Sequence, residues 1–146
     1  MADVHLAVGV FVMVSNLVAG LWGVGAWIVQ RPSVWFWYLL RVAQGSVIAQ
    51  VILGALLLIS GREAADGLHY MYGVAPLVVN LFAEGMRAGA AQRELPEEVD
   101  FKALGAGEQR TIALRIVRHE TGIMALAALL IVAFAVRAAQ VSGHMF

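Results

Sequence analysis

A single uninterrupted apolar run most constrains the fold of this chain. Residues 6–29 form a stretch of 24 positions without one charged side chain. A helix needs about 20 apolar residues to cross the roughly 30 Å hydrocarbon core of a bilayer. Three further apolar stretches follow, and 61% of the 146 residues are hydrophobic, with a mean hydropathy of +0.79. The sequence therefore predicts an integral membrane protein.

The four apolar stretches predict four membrane-spanning helices in a single transmembrane domain, residues 1–146. We place the spans at about residues 5–30, 34–60, 68–90 and 111–138, and we expect Arg31-Pro32 to end the first, because proline disfavours helix continuation. Backbone amides in lipid must be hydrogen-bonded within the protein, and four segments this long cannot form a closed barrel. The predicted fold class is therefore all-α, an integral membrane four-helix bundle with up-down-up-down topology.

Basic residues are distributed unevenly between the predicted loops and span ends. The side that carries the 1–2 and 3–4 connections holds eight of the ten Arg and Lys residues, and the other side holds only Arg62 and Arg137. Because cytoplasmic loops carry an excess of Lys and Arg, we expect the loop at about residues 92–110 to be cytoplasmic and both termini to be non-cytoplasmic. No Lys or Arg precedes the first apolar run, so we expect that span to be retained rather than cleaved.

Composition excludes several classes of function. The chain has no cysteine, which rules out disulfides, thiolate metal sites and iron–sulfur clusters. No basic patch carries interleaved aromatic residues, so no nucleic-acid partner is expected. Nine arginines stand beside one lysine, and Ala, Gly and Val are abundant. This pattern is typical of a GC-rich bacterial genome, and the predicted location is the bacterial plasma membrane.

The third predicted span carries a stripe of polar and small residues. Six residues recur at intervals of three or four positions: His69, Gly73, Pro76, Asn80, Glu84 and Arg87. At about 100° per residue they share one face of a helix. A charge at the centre of a span costs about 2.5–3.5 kcal/mol even on lenient insertion scales. We therefore expect the stripe to face protein, either within its own bundle or in another subunit.

Polar residues of spans 2 and 4 are predicted to reach the level of Glu84. Arg41 and Gln44 share one face of span 2, whereas Gln50 lies about 180° from Arg41 at helical pitch. The predicted polar intramembrane cluster comprises Arg41, Gln44, Asn80, Glu84, Arg118, His119 and Glu120. We expect an ion-pair network in which Arg41 pairs with Glu84. The functional alternative is a pocket for an anionic lipid, a quinone head group or a proton path. No metal site is predicted, because the adjacent His119 and Glu120 diverge by about 100°.

Two histidines begin predicted spans at matching depth on the non-cytoplasmic side. His5 begins span 1 and His69 begins span 3, and these spans lie on a diagonal of the predicted bundle. Because neighbouring helices are about 8–10 Å apart, a diagonal pair is separated by roughly 12–14 Å, which could hold a haem between two imidazoles. The alternative is that both histidines are interfacial or hydrogen-bonded.

Three functional predictions follow, and none of them rests on a catalytic motif. The broadest is a non-catalytic subunit or interaction protein, held in the bilayer as a homo-oligomer or with other membrane subunits. The most specific is a haem-b-binding electron-transfer protein with His5 and His69 as ligands. The third is a small transporter or channel that uses Arg41 and Glu84. Enzymatic activity is left open, with a non-catalytic role favoured.

Overall fold

The chain folds into four long helices. The computed structural model describes residues 2–64, 66–94 and 100–142, of which 88% are helical and none forms a strand. The elements are α1 (Ala2–Ile28), α2 (Val34–Ile59), α3 (Leu68–Glu94) and α4 (Ala106–Val141), with a 3₁₀ turn at Phe101–Ala103 before α4. The all-α prediction is therefore confirmed.

Local sequence explains where the first two helices end and where α2 begins. Gln30 adopts a left-handed conformation, with φ of 54°, and the Arg31 amide returns to the Ala26 carbonyl. The side chain of Ser33 caps α2 by accepting a hydrogen bond from the Phe36 amide. After α2, Gly61 takes a φ of 80°, a conformation that costs glycine little.

Helices α3 and α4 extend further into the polar connection than predicted. The fourth helix begins at Ala106 rather than at about residue 111, and the third continues to Glu94 rather than to about residue 90. Glu108 lies in the first turn of α4 and accepts a hydrogen bond from the Gly105 amide, which stabilises the helix start. Hydropathy missed these turns because they carry charged side chains. Pro96, at which the sequence would allow a short helix to start, lies outside the described residues.

The helices form a ring in which each packs against its neighbours in the chain. Helix α4 packs along both α1 and α3, α1 packs along α2, and α2 and α3 meet over a smaller surface. The start of α1 lies beside the end of α2, where Gly54 contacts His5, and the start of α3 lies beside the end of α4, where Ala138 binds His69. Sequential helices are therefore antiparallel, and α1 and α3 lie on a diagonal.

Two ends of the bundle can now be distinguished. The histidine end carries the α2–α3 connection, and the charged end carries the α1–α2 and α3–α4 connections. Between them lie two apolar clusters. Nearer the charged end, α2, α3 and α4 contribute Phe36, Leu40, Ala83, Met124, Ala125 and Ala128. Nearer the histidine end, α1, α2 and α4 contribute Val12, Val47 and Ile131.

Three of the helices are long and apolar enough to cross a membrane, namely α1, α2 and α4. Helix α3 is the exception, and it is the helix that carries the polar stripe. Large apolar side chains cover the outer surface of the bundle, among them Leu21, Trp22, Ile48, Phe82 and Leu126. Such a surface suits a lipid environment.

Candidate functional site

The polar stripe of α3 faces the interior of its own bundle. Pro76 and Asn80 are buried, and His69, Gly73, Glu84 and Arg87 are half-buried. The opposite face of α3 is exposed and apolar, as Leu81 and Phe82 show with 66% and 71% of their surface accessible. The described helices therefore cover the stripe without a second subunit.

Glu84 is the hub of a cluster of charged residues that joins three helices. We call Arg41, Gln44, Glu84, Arg87 and Glu120 the charged cluster. The Oε1 atom of Glu84 accepts hydrogen bonds from Arg41 Nη1 at 2.6 Å and from Gln44 Nε2 at 2.9 Å, and its Oε2 atom accepts from Arg87 Nε at 2.8 Å. Arg41 Nη1 also donates to Gln44 Oε1 at 2.6 Å. Every polar group that meets this carboxylate is thus a donor.

Arg87 connects Glu84 to helix α4 and to an aromatic ring. Its Nη1 atom lies 3.8 Å from Glu120 Oε1, and its guanidinium lies 5.7 Å from the centre of the Trp37 ring. Stacking on a tryptophan and pairing with a carboxylate both suit the planar guanidinium. Trp37 was not among the predicted site residues, because an aromatic residue near the start of a predicted span is typical of the membrane–water interface.

A second, more exposed pair of contacts lies further along α3. Glu94 accepts from Arg115 Nη1 at 3.3 Å, and its other oxygen lies 3.1 Å from His119 Nδ1. His119 is thus separated from its neighbour Glu120, which faces Arg87. Arg118 joins neither group and lies toward α1, beside Trp27 and Arg31. The seven residues predicted as one cluster therefore occupy four different places, since Asn80 lies nearer the middle of the bundle.

Asn80 belongs to a polar layer in the middle of the bundle. On α3 it lies between Leu77, which packs against the apolar cluster nearer the histidine end, and Ala83, which belongs to the cluster nearer the charged end. At the same level, the Asn16 amide of α1 donates to the Val12 carbonyl, and Ser15 lies 3.2 Å from Ser46 of α2. Within the part of the chain that the structure describes, the Nδ2 atom of Asn80 donates no hydrogen bond.

His5 and His69 meet at the opposite end of the bundle. Their ring centres are 6.2 Å apart, with an interplanar angle of 62°. His5 Nε2 lies 3.2 Å from Gln50 Nε2 of α2, and His69 Nδ1 lies 3.1 Å from the Ala138 carbonyl oxygen of α4. We call His5, Gln50 and His69 the histidine cluster.

The partner of the His69 imidazole fixes its tautomer. The Ala138 carbonyl can only accept, so His69 Nδ1 is protonated, and Nε2 carries the lone pair in the neutral ring. His69 is thus held in the tautomer that ligates a metal through Nε2. The Nε2 atom of His5 faces the side-chain amide of Gln50.

Small residues let the histidine cluster pack closely. A Cβ atom on Gly9 would lie 3.1 Å from Gln50 Nε2, and one on Gly54 would lie 3.3 Å from His5 Cε1. A Cβ atom on Gly73, one turn beyond His69, would meet no other atom within 4 Å. Helical pitch predicted that Gln50 faces away from Arg41, but nothing in the sequence indicated His5 as its partner.

Across residues 2–64, 66–94 and 100–142, no group of three or more His, Asp or Glu side chains could hold a metal ion. Comparison with protein-family models, curated proteins and solved structures finds no significant match to this chain. Its function must therefore be argued from its own geometry.

Proposed function

We propose that this chain is a haem-b-binding electron-transfer protein of the bacterial plasma membrane, with His5 and His69 as the axial ligands. The observation that carries the proposal is the pair of imidazoles on a helix diagonal, whose ring centres are 6.2 Å apart, with His69 in the Nε2 lone-pair tautomer. Haem supplies four nitrogen ligands itself, so two protein histidines complete the coordination of its iron. A free metal ion would need further ligands that this end of the bundle lacks among the described residues.

The surroundings of the two histidines fit a haem in two respects and require one adjustment. The two imidazoles come from diagonal helices and lie side by side, so they would hold the iron of a haem between α1 and α3. The hydrogen bond from His69 to a backbone carbonyl is the kind of outer contact that orients ligating histidines. The adjustment concerns Gln50, whose amide must release His5 Nε2 before that atom can bind iron.

Bound haem would supply one-electron chemistry, and the protein would set its position and potential. His5 and His69 would hold it near one end of the bundle, and the apolar cluster of Val12, Val47 and Ile131 would separate it from the polar layer. Such a position suits electron exchange with a partner at one membrane surface.

The proposal includes a membrane topology. Helix α3 would be the fourth span, since its polar face is covered by protein and its outer face is apolar. Both termini would lie on the non-cytoplasmic side, because the charged end holds most of the Arg and Lys residues. The chain has no native cysteine, so single cysteines can test this topology directly. In intact cells, an impermeant maleimide should label E63C but not E108C. Labelling of E108C alone would indicate the opposite orientation.

The haem proposal is tested by absorption spectroscopy of the purified protein. The chain is expressed in haem-supplemented cells, and its haem content is measured by the pyridine haemochrome method. We expect about one haem per chain, low-spin iron by electron paramagnetic resonance, and loss of the Soret band in H5A and H69A. The matched control is H119A, which removes an imidazole at the charged end and should keep full haem content.

A colourless, folded wild-type protein that also fails to bind added haemin would contradict the proposal. The broader prediction, a non-catalytic subunit in a homo-oligomer or larger assembly, would then be the reading to test. The transport prediction gains no specific support, because both oxygens of Glu84 already accept hydrogen bonds from residues of this chain.

A further inference from the structure

A cleft between α1 and α4 at the charged end carries two arginines that the charged cluster does not use. It is an open surface cleft that encloses only about 10 Å³. It is lined by Ala26, Trp27 and Arg31 on the α1 side and by Leu114, Val117 and Arg118 of α4. The lining thus combines two positive charges and one indole with apolar side chains, and it includes no carboxylate.

The two arginines differ from their neighbours in what they contact. Arg41, Arg87 and Arg115 each pair with a glutamate of the same chain. Neither Arg31 nor Arg118 has an ion pair within the described ranges, and both are exposed. Two guanidinium groups at one cleft repel each other unless an anion lies between them, so this position favours an anionic ligand.

The level of the cleft along α4, relative to the hydrocarbon core, indicates which kind of anion it meets. Helix α4 is 36 residues long, or about 54 Å, and so exceeds the roughly 30 Å hydrocarbon core. Between Glu120 and Arg137 it carries no charged residue. Arg118 therefore lies near the point where α4 would leave the hydrocarbon core at the charged end. Arg31 lies three residues after the end of α1 and lines the same cleft.

Trp27 and the end of α1 give the cleft a fixed shape. A Cβ atom on Gly122 would lie 2.9 Å from Trp27 Cε2, so the indole packs directly on the α4 backbone. Gln30 holds the left-handed conformation that ends α1, which is costly for a residue with a side chain. This turn brings Arg31 to the rim of the cleft. Tryptophan and arginine side by side are typical of the head-group level of a membrane.

We propose that Arg31 and Arg118 bind the phosphate group of an anionic phospholipid, with its acyl chains along the groove between α1 and α4. The phosphate accepts hydrogen bonds from both guanidinium groups, and Ala26, Leu114 and Val117 contact the apolar part of the lipid. The site is separate from the histidine cluster and does not depend on haem binding.

The proposal is tested by native mass spectrometry of the full chain, titrated in detergent with phosphatidylglycerol or with phosphatidylcholine of the same acyl chains. We expect one phosphatidylglycerol to bind in preference to phosphatidylcholine. Each arginine-to-glutamine change should weaken that binding about fivefold, and R31Q/R118Q about 25-fold. R31K/R118K should lie between the wild type and the glutamine variant, because lysine keeps the charge but loses the bidentate fork.

The matched control is R110Q, which removes the same charge from the same helix two turns nearer its start. It should bind phosphatidylglycerol like the wild type. Equal weakening in R110Q and R118Q, which each remove one charge from α4, would overturn the proposal, because the effect would then be one of net charge. Equal affinity for the two lipids would also overturn it. A separate titration with inorganic phosphate should not displace the lipid; full displacement at millimolar phosphate would identify a site for a free anion instead.

Discussion

The two polar clusters of this bundle are built from different kinds of contact. In the charged cluster, one carboxylate accepts three hydrogen bonds of 2.6 to 2.9 Å, two of them from guanidinium groups. In the histidine cluster, the contacts between helices are neutral and longer, at 3.1 and 3.2 Å. Hydrogen bonds to charged groups contribute about 1.5–3 kcal/mol, compared with about 0.5–1.5 kcal/mol for neutral ones. The charged cluster should therefore stabilise the fold, which leaves the histidine cluster freer to rearrange around a ligand.

The positions of the two clusters strengthen this contrast. Helices α2 and α3 share only a small surface, and the bonds from Arg41 and Gln44 to Glu84 cross it. The histidine cluster instead bridges a diagonal, and the helices that contribute to it already pack extensively against α4 or α2. Loss of the charged cluster should thus loosen the ring of helices, whereas loss of the histidine contacts should not.

The largest expected effect is that of E84Q. An amide at this position cannot neutralise Arg41 and Arg87, and it loses part of the acceptor capacity that both use. We expect a loss of about 3 kcal/mol in the free energy of unfolding. Two guanidinium groups lose a charged acceptor at once, and each such hydrogen bond contributes about 1.5–3 kcal/mol, less here because Glu84 and Arg41 are 30% and 53% exposed. Unfolding in detergent micelles titrated with sodium dodecyl sulfate measures this loss. A change under 1 kcal/mol would remove the distinction between the clusters.

A matched pair of substitutions on α2 compares the clusters directly. Q44L removes an amide that binds the charged groups Arg41 and Glu84, and Q50L removes one that binds the neutral His5 ring. We expect losses of about 2 kcal/mol for Q44L and about 1 kcal/mol for Q50L in the same unfolding assay. Equal losses would show that charge does not distinguish the two ends.

Q50L also sharpens the haem proposal. It removes the Gln50 amide that would have to release His5 Nε2, and so it should preserve haem content or strengthen haemin binding. Spectroscopic titration of the apoprotein with haemin measures the affinity. A haemin affinity weakened tenfold or more would show that Gln50 supports His5 as an iron ligand rather than competing with iron for its Nε2 atom.

The smallest expected effect is that of R115Q. Arg115 pairs with Glu94 across 3.3 Å, but 58% of its side chain is exposed. Exposed pairs contribute about 0–1 kcal/mol and are screened by salt. We expect a loss of about 0.3 kcal/mol that disappears at 1 M salt in the unfolding assay. A loss as large as that of Q44L would extend the charged cluster to Glu94.

Much of the architecture followed from simple patterns in the sequence. The predicted start of α2 at residue 34 and of α3 at residue 68 match the structure, because Ser33 and the glycine-containing connection mark them. The starts and ends that differ, at α1, α3 and α4, involve turns rich in polar residues or adjacent to Pro32. Hydropathy measures the preference of a segment for lipid. A helix can continue into water beyond its apolar segment, so hydropathy does not mark where the helix ends.

The candidate sites could be predicted only in part. The spacing on α3 identified Glu84 and its inward direction, because a single helix fixes which residues share a face. It could not separate His119 from Arg118, which lie one residue apart yet contact α3 and α1 respectively. The cleft of Arg31 and Arg118 was missed because its lining comes from a loop and from two helices distant in sequence.

The sequence by itself determined that this chain forms four helices, that its composition suits a bilayer, and which face of α3 is polar. These properties depend on local composition and on the 3.6-residue period of a helix. Only the tertiary structure decided that His5 meets Gln50 and His69, that Gln44 and Arg87 join the predicted pair of Arg41 and Glu84, and that Arg31 lines one cleft with Arg118. Those contacts depend on how the helices are rotated and placed around the ring. That arrangement is set by packing between residues far apart in the chain, such as Gly23 against Phe36 and Gly122 against Trp27.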